Sequence, residues 1–215
     1  AYNDLDEARY IVEQIEAWVD QGGRRSDVAL LYRSNAQSRV LEEALIGRGI
    51  PYRVYGGQRF FERAEIKDAL AYLRLVAHHD DDTSFERVVN QPTRGIGDRT
   101  LQLVRDQART QGVSLWRATA ALLESGMLSA RAGSALRGFL ELIDGLSEAT
   151  QGLALHEQVE RVVERSGLKE FFAKDKSERG EARVENLEEL ANAARGFRLD
   201  TEEHADMTPL DAFLA

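Results

Sequence analysis

The stretch "TRGIGDRTLQLV", from Thr93 to Val104, places two glycines around an isoleucine and starts a helical pattern immediately afterwards. Glycine has no side chain that would keep a phosphate away from the backbone. The free N–H groups at the start of the following helix, aided by the helix dipole, then face such a phosphate. Ile96 is expected to point inward and pin the loop to the helices. The stretch therefore predicts a loop that contacts anions through its backbone.

A second helical segment at residues 84–90 precedes the loop "QPTRGIG", so the two helices and the loop predict a helix-hairpin-helix-like element. The candidate contacts are Arg94, Gly95, Ile96, Gly97, Arg99 and Thr100. Contacts of this kind read the backbone of a nucleic acid and carry no base specificity. Asp98 is unfavourable for these contacts, because its negatively charged carboxylate repels phosphate. A tight turn before a helix is an alternative interpretation that the spacing alone leaves open.

The chain beyond residue 57 is helical in pattern almost throughout. Apolar spacing and capping residues predict helices near 62–78, 84–90, 98–111, 114–124, 128–149, 154–166, 168–174, 180–196 and from 209 onward. The fold class predicted from these patterns is mainly α.

The first sixty residues predict a small α/β piece instead. A helix up to Gly22-Gly23 is followed by the apolar run "DVALLY", typical of a buried parallel strand, and then by a helix from Ser34 and a second strand, "PYRVYGG". Strand, helix and strand form a βαβ unit. Arg33, Asn35 and Arg39 fall where the first strand ends, at the edge where α/β folds gather ligands. Solvent-facing arginines at a capped helix start are the alternative.

Composition limits the function classes. The 215 residues carry a net charge of −9 and no cysteine, which excludes disulfides and zinc–sulfur sites. Nothing resembles a signal peptide or a membrane span, and we expect a cytoplasmic protein without membrane partners. The acidic balance argues against a general nucleic-acid binder. Two islands, Arg33–Arg63 and Arg87–Arg109, are nevertheless basic, each with a local charge of +3.

No catalytic or cofactor motif is present. The sequence lacks GxxxxGK[ST], and "GIGDRT" lacks the third glycine of a dinucleotide loop. In "HHDDD", from His78 to Asp82, adjacent side chains diverge on a helix, so we expect no metal site. The final helix stops after one turn and a single βαβ unit is too small a sheet to stand alone, so we expect an excerpt of a longer protein.

Five segments together resemble the UvrD/PcrA/Rep-type superfamily 1 DNA helicases. They are "LYRSNAQSRVLEEAL", "PYRVYGGQRFFERAEIKDALAYLRL", "DDTSFERVVNQPTRGIGDRTL", "SGL" and "RVENLEEL", and they cover nearly the whole chain in order. The resemblance implies that residues 1–60 are the first part of the RecA-like motor domain 2A. Residues 61–215 would be most of domain 2B, which is inserted in 2A.

The same resemblance implies roles for the candidate residues. Arg33, Asn35 and Arg39 match a motif on the single-strand side of 2A, and the Arg94–Thr100 loop matches the 2B loop that grips duplex DNA ahead of the fork. The 2A–2B junction would contain Gly56, Gly57, Arg59, Phe60, Phe61 and Arg63.

The family hydrolyses ATP with Mg²⁺, translocates 3′→5′ on single strands, and unwinds duplexes in nucleotide excision and mismatch repair. The implied partners are duplex and single-stranded DNA, the other domains of the same helicase, and repair proteins. We expect the parent protein to be nucleoid-associated and this chain alone to be inactive and to bind no cofactor. The alternative function is a helical protein-interaction or autoinhibitory module with little DNA binding of its own.

Overall fold

The structure, a computed structural model, describes residues 3–55, 57–198 and 206–215, and only the backbone of Asn35. Regular structure within these residues is entirely helical. The α-helices are α1 (Asp4–Asp20), α2 (Ser38–Gly47), α3 (Ala64–Ala77), α4 (Asp82–Val88), α5 (Asp98–Gln111), α6 (Leu115–Ser125), α7 (Ala130–Thr150), α8 (Leu155–Arg165), α9 (Leu168–Ala173), α10 (Glu178–Gly196) and α11 (Pro209–Leu214). The prediction of a mainly α fold is confirmed. None of these helices is long and apolar enough to cross a membrane.

The chain divides into two compact units, Ala1–Arg63 and Ala64–Ala215. In the first unit α1 packs against α2. The apolar spacing of both helices directs Val12, Ile15 and Leu45 inward, where they form a small core with Ile50. Gly49, with φ of 61°, reverses the chain after α2 and lets Ile50 return to this core.

The two strands predicted in the first unit are wrong. Residues 28–32 and 51–55 have no regular secondary structure, and no backbone hydrogen bond joins the two described segments. Leu31, expected to be buried on a sheet, is 96% exposed. A strand needs a neighbour to pair with its backbone groups, and two strands alone are marginal in water. The RecA-like βαβ unit is therefore not seen in the described residues.

The second unit is organised around α3. Ten of its residues are buried, and they include Ile66, Tyr72 and Leu75. A helix that is apolar nearly all round belongs at the centre of a helical bundle. Accordingly α4, α7, α8, α10 and α11 all pack against α3. Phe85 of α4 meets Phe139 of α7 edge-on, with ring centroids 5.4 Å apart.

The "HHDDD" segment ties helices together. Asp81 is the N-cap of α4 and accepts from the Ser84 N–H at 3.0 Å. Asp80 and Asp82 accept hydrogen bonds from Ser114 and from the Leu115 N–H at the start of α6. Both histidines also meet carboxylates: His78 Nε2 lies 2.9 Å from Asp211, and His79 Nε2 lies 3.2 Å from Asp144. These side chains therefore hold the helix ends that surround α3.

Candidate nucleic-acid interface

The loop between α4 and α5 ends at Gly97, the N-cap of α5. The N–H groups of Thr100 and Leu101 donate to the Gly97 carbonyl at 2.9 and 3.1 Å. Those of Asp98 and Arg99 have no acceptor among the residues that the structure describes. Both residues are exposed. The start of α5 therefore presents two free backbone donors to solvent, with the positive end of the helix dipole behind them.

The two glycines of the loop differ in what the fold requires of them. Gly95 has φ of +78°, a left-handed conformation that favours glycine. Gly97 has φ of −92° and ψ of 170°, which any residue can adopt. A Cβ atom added at Gly97 would meet nothing within 4 Å. The fold therefore requires glycine at position 95, whereas nothing in the described structure requires glycine at position 97.

Two groups inside the loop fix its shape. The Asn90 Oδ1 atom accepts from the Arg94 N–H at 2.8 Å and from the Ile96 N–H at 3.2 Å. The Ile96 side chain is only 1% exposed, as its predicted inward direction requires. The loop thus holds its glycines on the surface by anchoring the residues between and before them.

The Arg94 side chain turns into the protein and does not lie where it could bind a phosphate. Its guanidinium donates to the carbonyls of Val88, Pro92 and Ser166 at 3.0–3.1 Å and to the Tyr72 hydroxyl. It also lies over the rings of Tyr72 and Phe139. Burial raises the pKa of Tyr72 to about 12, so this phenol stays neutral. Arg94, which the sequence predicts as a contact to duplex DNA, therefore holds the loop from inside the protein.

Most of the basic island around the loop is neutralised by the fold. Arg87 pairs with Asp68 at 2.9 Å, Arg105 with Glu86 at 2.5 Å, and Arg109 lies 3.8 Å from Asp106. Arg99 is exposed and has no ion-pair partner in the described part of the chain. Thr100 is half-buried in the first turn of α5. The positive charge available at the loop is therefore much smaller than the sequence count suggests.

Arg131, in the first turn of α7, is a basic residue at the loop that sequence reasoning missed. Its Nη2 atom lies 3.8 Å from the position that a Cβ of Gly95 would occupy. Its side chain is exposed. No sequence signal links Arg131 to the loop, because only the packing of α7 brings them together.

Two of the predicted single-strand residues, Arg33 and Arg39, differ in exposure. Arg33 is exposed, and its backbone N–H donates to the Gln37 side chain at 3.0 Å. Arg39 is 7% exposed, and its Nη1 atom lies 2.6 Å from a carboxylate oxygen of Glu43. The side chain of Asn35 lies outside the described residues.

Two of the residues predicted for the junction, Phe60 and Arg63, lie against a buried carboxylate that was not predicted, that of Glu42. It accepts from the Ser38 hydroxyl at 2.7 Å, the Tyr52 hydroxyl at 3.0 Å and the Phe60 N–H at 3.2 Å. Burial, together with the hydrogen bond to Glu42, raises the pKa of Tyr52 to about 12. A possible sequence signal was the spacing of Ser38 and Glu42, four residues apart on the helix that buries Val40 and Leu45.

The predicted junction residues divide between core and surface. Arg63 is buried, donates to the Ser38 hydroxyl at 2.6 Å and lies 3.9 Å from Glu42. Phe60 is also buried, whereas Phe61 is 42% exposed and both Gly57 and Arg59 are exposed. The Arg59 guanidinium lies over the Tyr52 ring at 5.0 Å. Gly56 lies outside the described residues.

The described residues do not fit a nucleotide or a divalent cation. No group of three or more His, Asp or Glu side chains among them could hold a metal ion. The sequence also has no glycine-rich loop with lysine to cradle phosphates. What the described surface does offer is the Gly95–Arg99 backbone.

The chain matches the UvrD-like helicase C-terminal domain family over residues 1–215. It is 55% identical over 215 residues to DNA helicase II of Escherichia coli (strain K12), which covers all of this chain and 30% of that protein. It is 37% identical over 202 residues to ATP-dependent DNA helicase PcrA of Bacillus subtilis (strain 168), covering 94% of this chain and 27% of that protein. The chain thus spans less than a third of the length of these curated relatives.

Proposed function

Since this chain belongs to the UvrD-like helicase C-terminal domain family, we propose that it is a DNA-binding part of an ATP-dependent 3′→5′ DNA helicase of DNA repair. Residues 61–215, which include the whole second unit, correspond to domain 2B and hold the duplex ahead of the fork. Residues 1–60 belong to the motor domain 2A. The second unit binds the duplex, and the motor domains, to which the first unit contributes a part, move the DNA.

The observation that carries this proposal is the start of α5. Two exposed backbone N–H groups, of Asp98 and Arg99, follow an exposed glycine that the fold does not require. A phosphate oxygen can approach such donors closely only where no side chain stands in front of them. Gly97 leaves that space open, which is the expected design of a hairpin that binds the DNA backbone in a helix-hairpin-helix-like element.

The proposed contact ignores base sequence. Backbone N–H groups and an arginine side chain recognise phosphates, which are the same at every position of a duplex. A helicase that unwinds any DNA needs such a grip. Arg99 and Thr100 supply side-chain donors in the first turn of α5, while Arg94 and Ile96 keep the loop in place from within the protein.

For the first unit we propose a contact to single-stranded DNA near Arg33. Its exposed side chain follows an extended segment and precedes α2. Arg39 shapes this region through its pair with Glu43 and lies too deep to be the first contact. The segment with Gly57, Arg59 and Phe61 forms the connection between 2A and 2B, stiffened by the buried Glu42 and Arg63.

ATP and Mg²⁺ act elsewhere in the parent helicase under this proposal, because the sequence has no phosphate-binding loop and the described residues hold no metal-binding group. The chain by itself therefore has no hydrolase activity.

The alternative role, a regulatory or protein-interaction module, is favoured by the exposed acids of α8 and α10. Glu160, Glu164 and Glu188 line one groove there. Glu160 pairs with Arg195 and Glu188 with Lys169, whereas Glu164 has no ion-pair partner among the described residues. A surface variant that raised unwinding by the parent helicase at unchanged duplex affinity would support that role.

Replacement of Gly97 by threonine tests the grip. Threonine is as good an N-cap as glycine, and its Cβ has free space, so the fold should be unaffected. The side chain would stand between the phosphate and the backbone donors. We expect the affinity for a fluorescein-labelled duplex, measured by anisotropy, to fall about tenfold, as for the loss of about 1.4 kcal/mol.

Gly138→Thr is the matched control. Gly138 is exposed on α7, and a Cβ there also meets nothing within 4 Å. Its affinity for the duplex should equal that of the wild-type chain. Equal binding by both threonine variants, with unchanged circular dichroism, would refute the grip at Gly97.

A further inference from the structure

We propose that Arg131 is a second arginine of the duplex-phosphate site, reaching the Gly95–Arg99 loop from the first turn of α7. The inference rests on the proposed function and extends it. It assigns to the site a residue from a separate helix, with a phosphodiester of duplex DNA as its ligand.

The position of Arg131 is the first support. Its Nη2 atom would lie 3.8 Å from a Cβ at Gly95, so the guanidinium lies beside the exposed backbone of the loop. Gly95 is held in a left-handed conformation, with φ of +78°. The guanidinium therefore lies beside a part of the loop whose shape is fixed.

The charge around the loop is the second support. Three of the arginines close to it in sequence, Arg87, Arg105 and Arg109, face carboxylates of the protein. Arg94 is held inside by backbone carbonyls. Arg131, like Arg99, is exposed and has no ion-pair or hydrogen-bond partner in the part of the chain that the structure describes. Both side chains are therefore free to offer positive charge at the loop.

Asp98 works against phosphate binding at this site. It is the first residue of α5, next to the free N–H groups, and it is exposed. A second exposed arginine, Arg131, adds to the positive charge that Arg99 offers to a phosphate there. A phosphate that approaches the backbone donors is then attracted, because a guanidinium binds phosphate oxygens with paired, charge-assisted hydrogen bonds.

The experiment compares Arg131→Gln with Arg137→Gln in duplex titrations by fluorescence anisotropy over a series of salt concentrations. Arg137 is also exposed, but it lies six residues further along α7, about 240° around the helix. Both variants lose the same charge. We expect Arg131→Gln to weaken binding about fivefold to tenfold at roughly 0.1 M salt and to reduce the salt slope by about 0.9, as for one lost phosphate contact.

Arg131→Lys should keep most of the salt slope, since the charge remains. Combining Arg131→Gln with Gly97→Thr should weaken binding by less than the product of the two separate effects, because both changes act on one phosphate. Circular dichroism and the midpoint of thermal unfolding should stay unchanged in each variant, as the side chain is exposed.

The outcomes separate this inference from the proposed function. If Gly97→Thr weakens binding while Arg131→Gln behaves like Arg137→Gln, the role of Arg131 is refuted and the grip at Gly97 stands. If Arg131→Gln weakens binding but Gly97→Thr does not, the shared site is refuted. A wild-type chain that fails to bind the duplex would overturn both proposals.

Discussion

A single side-chain oxygen of Asn90 fixes the backbone conformation of the exposed loop. Its Oδ1 accepts from the N–H groups of Arg94 and Ile96, on either side of the left-handed Gly95. The Arg94 guanidinium adds bonds to three carbonyls and to a tyrosine hydroxyl. Two polar side chains therefore fix the loop, and the residues left on the surface are those that could meet DNA.

Arg94→Lys should destabilise the second unit although the charge is kept. An ammonium group cannot reach carbonyls of Val88, Pro92 and Ser166 together, as the flat guanidinium does. Acceptors without a donor in a half-buried site cost free energy, and we expect unfolding to become easier by about 2 kcal/mol.

Urea denaturation followed by circular dichroism measures the effect of Arg94→Lys. Arg137→Lys serves as the control, since that side chain is exposed on α7. Equal free energies of unfolding for the two lysine variants would mean that Arg94 does not anchor the loop.

At the scale of single elements, α11 depends on its own capping interactions. The Thr208 hydroxyl accepts from the Asp211 N–H at 3.1 Å and donates to the Asp211 carboxylate at 2.7 Å. That hydroxyl, together with His78 just after α3, lowers the pKa of Asp211 below its usual 3.8. A carboxyl with a lowered pKa in the folded state stabilises the fold above its unfolded pKa and ceases to do so as the pH falls through the folded pKa.

Asp211→Asn should therefore cost stability at neutral pH and little in acid. We expect a loss of about 1 kcal/mol at about pH 7, typical of a helix-capping group, and a smaller difference from wild type at about pH 3. Urea unfolding at both pH values measures this. Asp144→Asn, at a more exposed carboxylate beside His79, should have the smaller effect. A difference between Asp211→Asn and wild type that grew in acid would contradict the assignment.

The helices could be predicted from sequence because their signals are local. Apolar spacing and caps such as Ser114 and Thr208 mark each helix within a few residues, and both residues cap their helices. The strands failed because pairing depends on a neighbouring strand, which no local pattern supplies. The position of Ile96 was predicted, whereas the inward turn of Arg94 and the approach of Arg131 arise from packing between distant helices.

At the scale of the whole molecule, a chain with a net charge of −9 can still bind DNA if its charge is arranged unevenly. Apart from Asp98, the acids near the loop are engaged with Arg87, Arg105 and Arg109, and Arg99 and Arg131 remain as exposed positive charge there. Such an arrangement suits weak binding of the duplex at a single site, from which the DNA dissociates as the duplex advances. Weak, salt-sensitive and sequence-independent binding is the property expected of this molecule.

The most direct test is a titration of the ¹⁵N-labelled chain with duplex DNA, observed by the amide resonances of Gly97, Asp98 and Arg99. We predict that these signals shift with the same midpoint for two duplexes of unrelated sequence, and that salt reverses the shifts. Duplex binding that left these three amides unmoved, or that shifted them for one sequence only, would contradict a backbone grip at the start of α5.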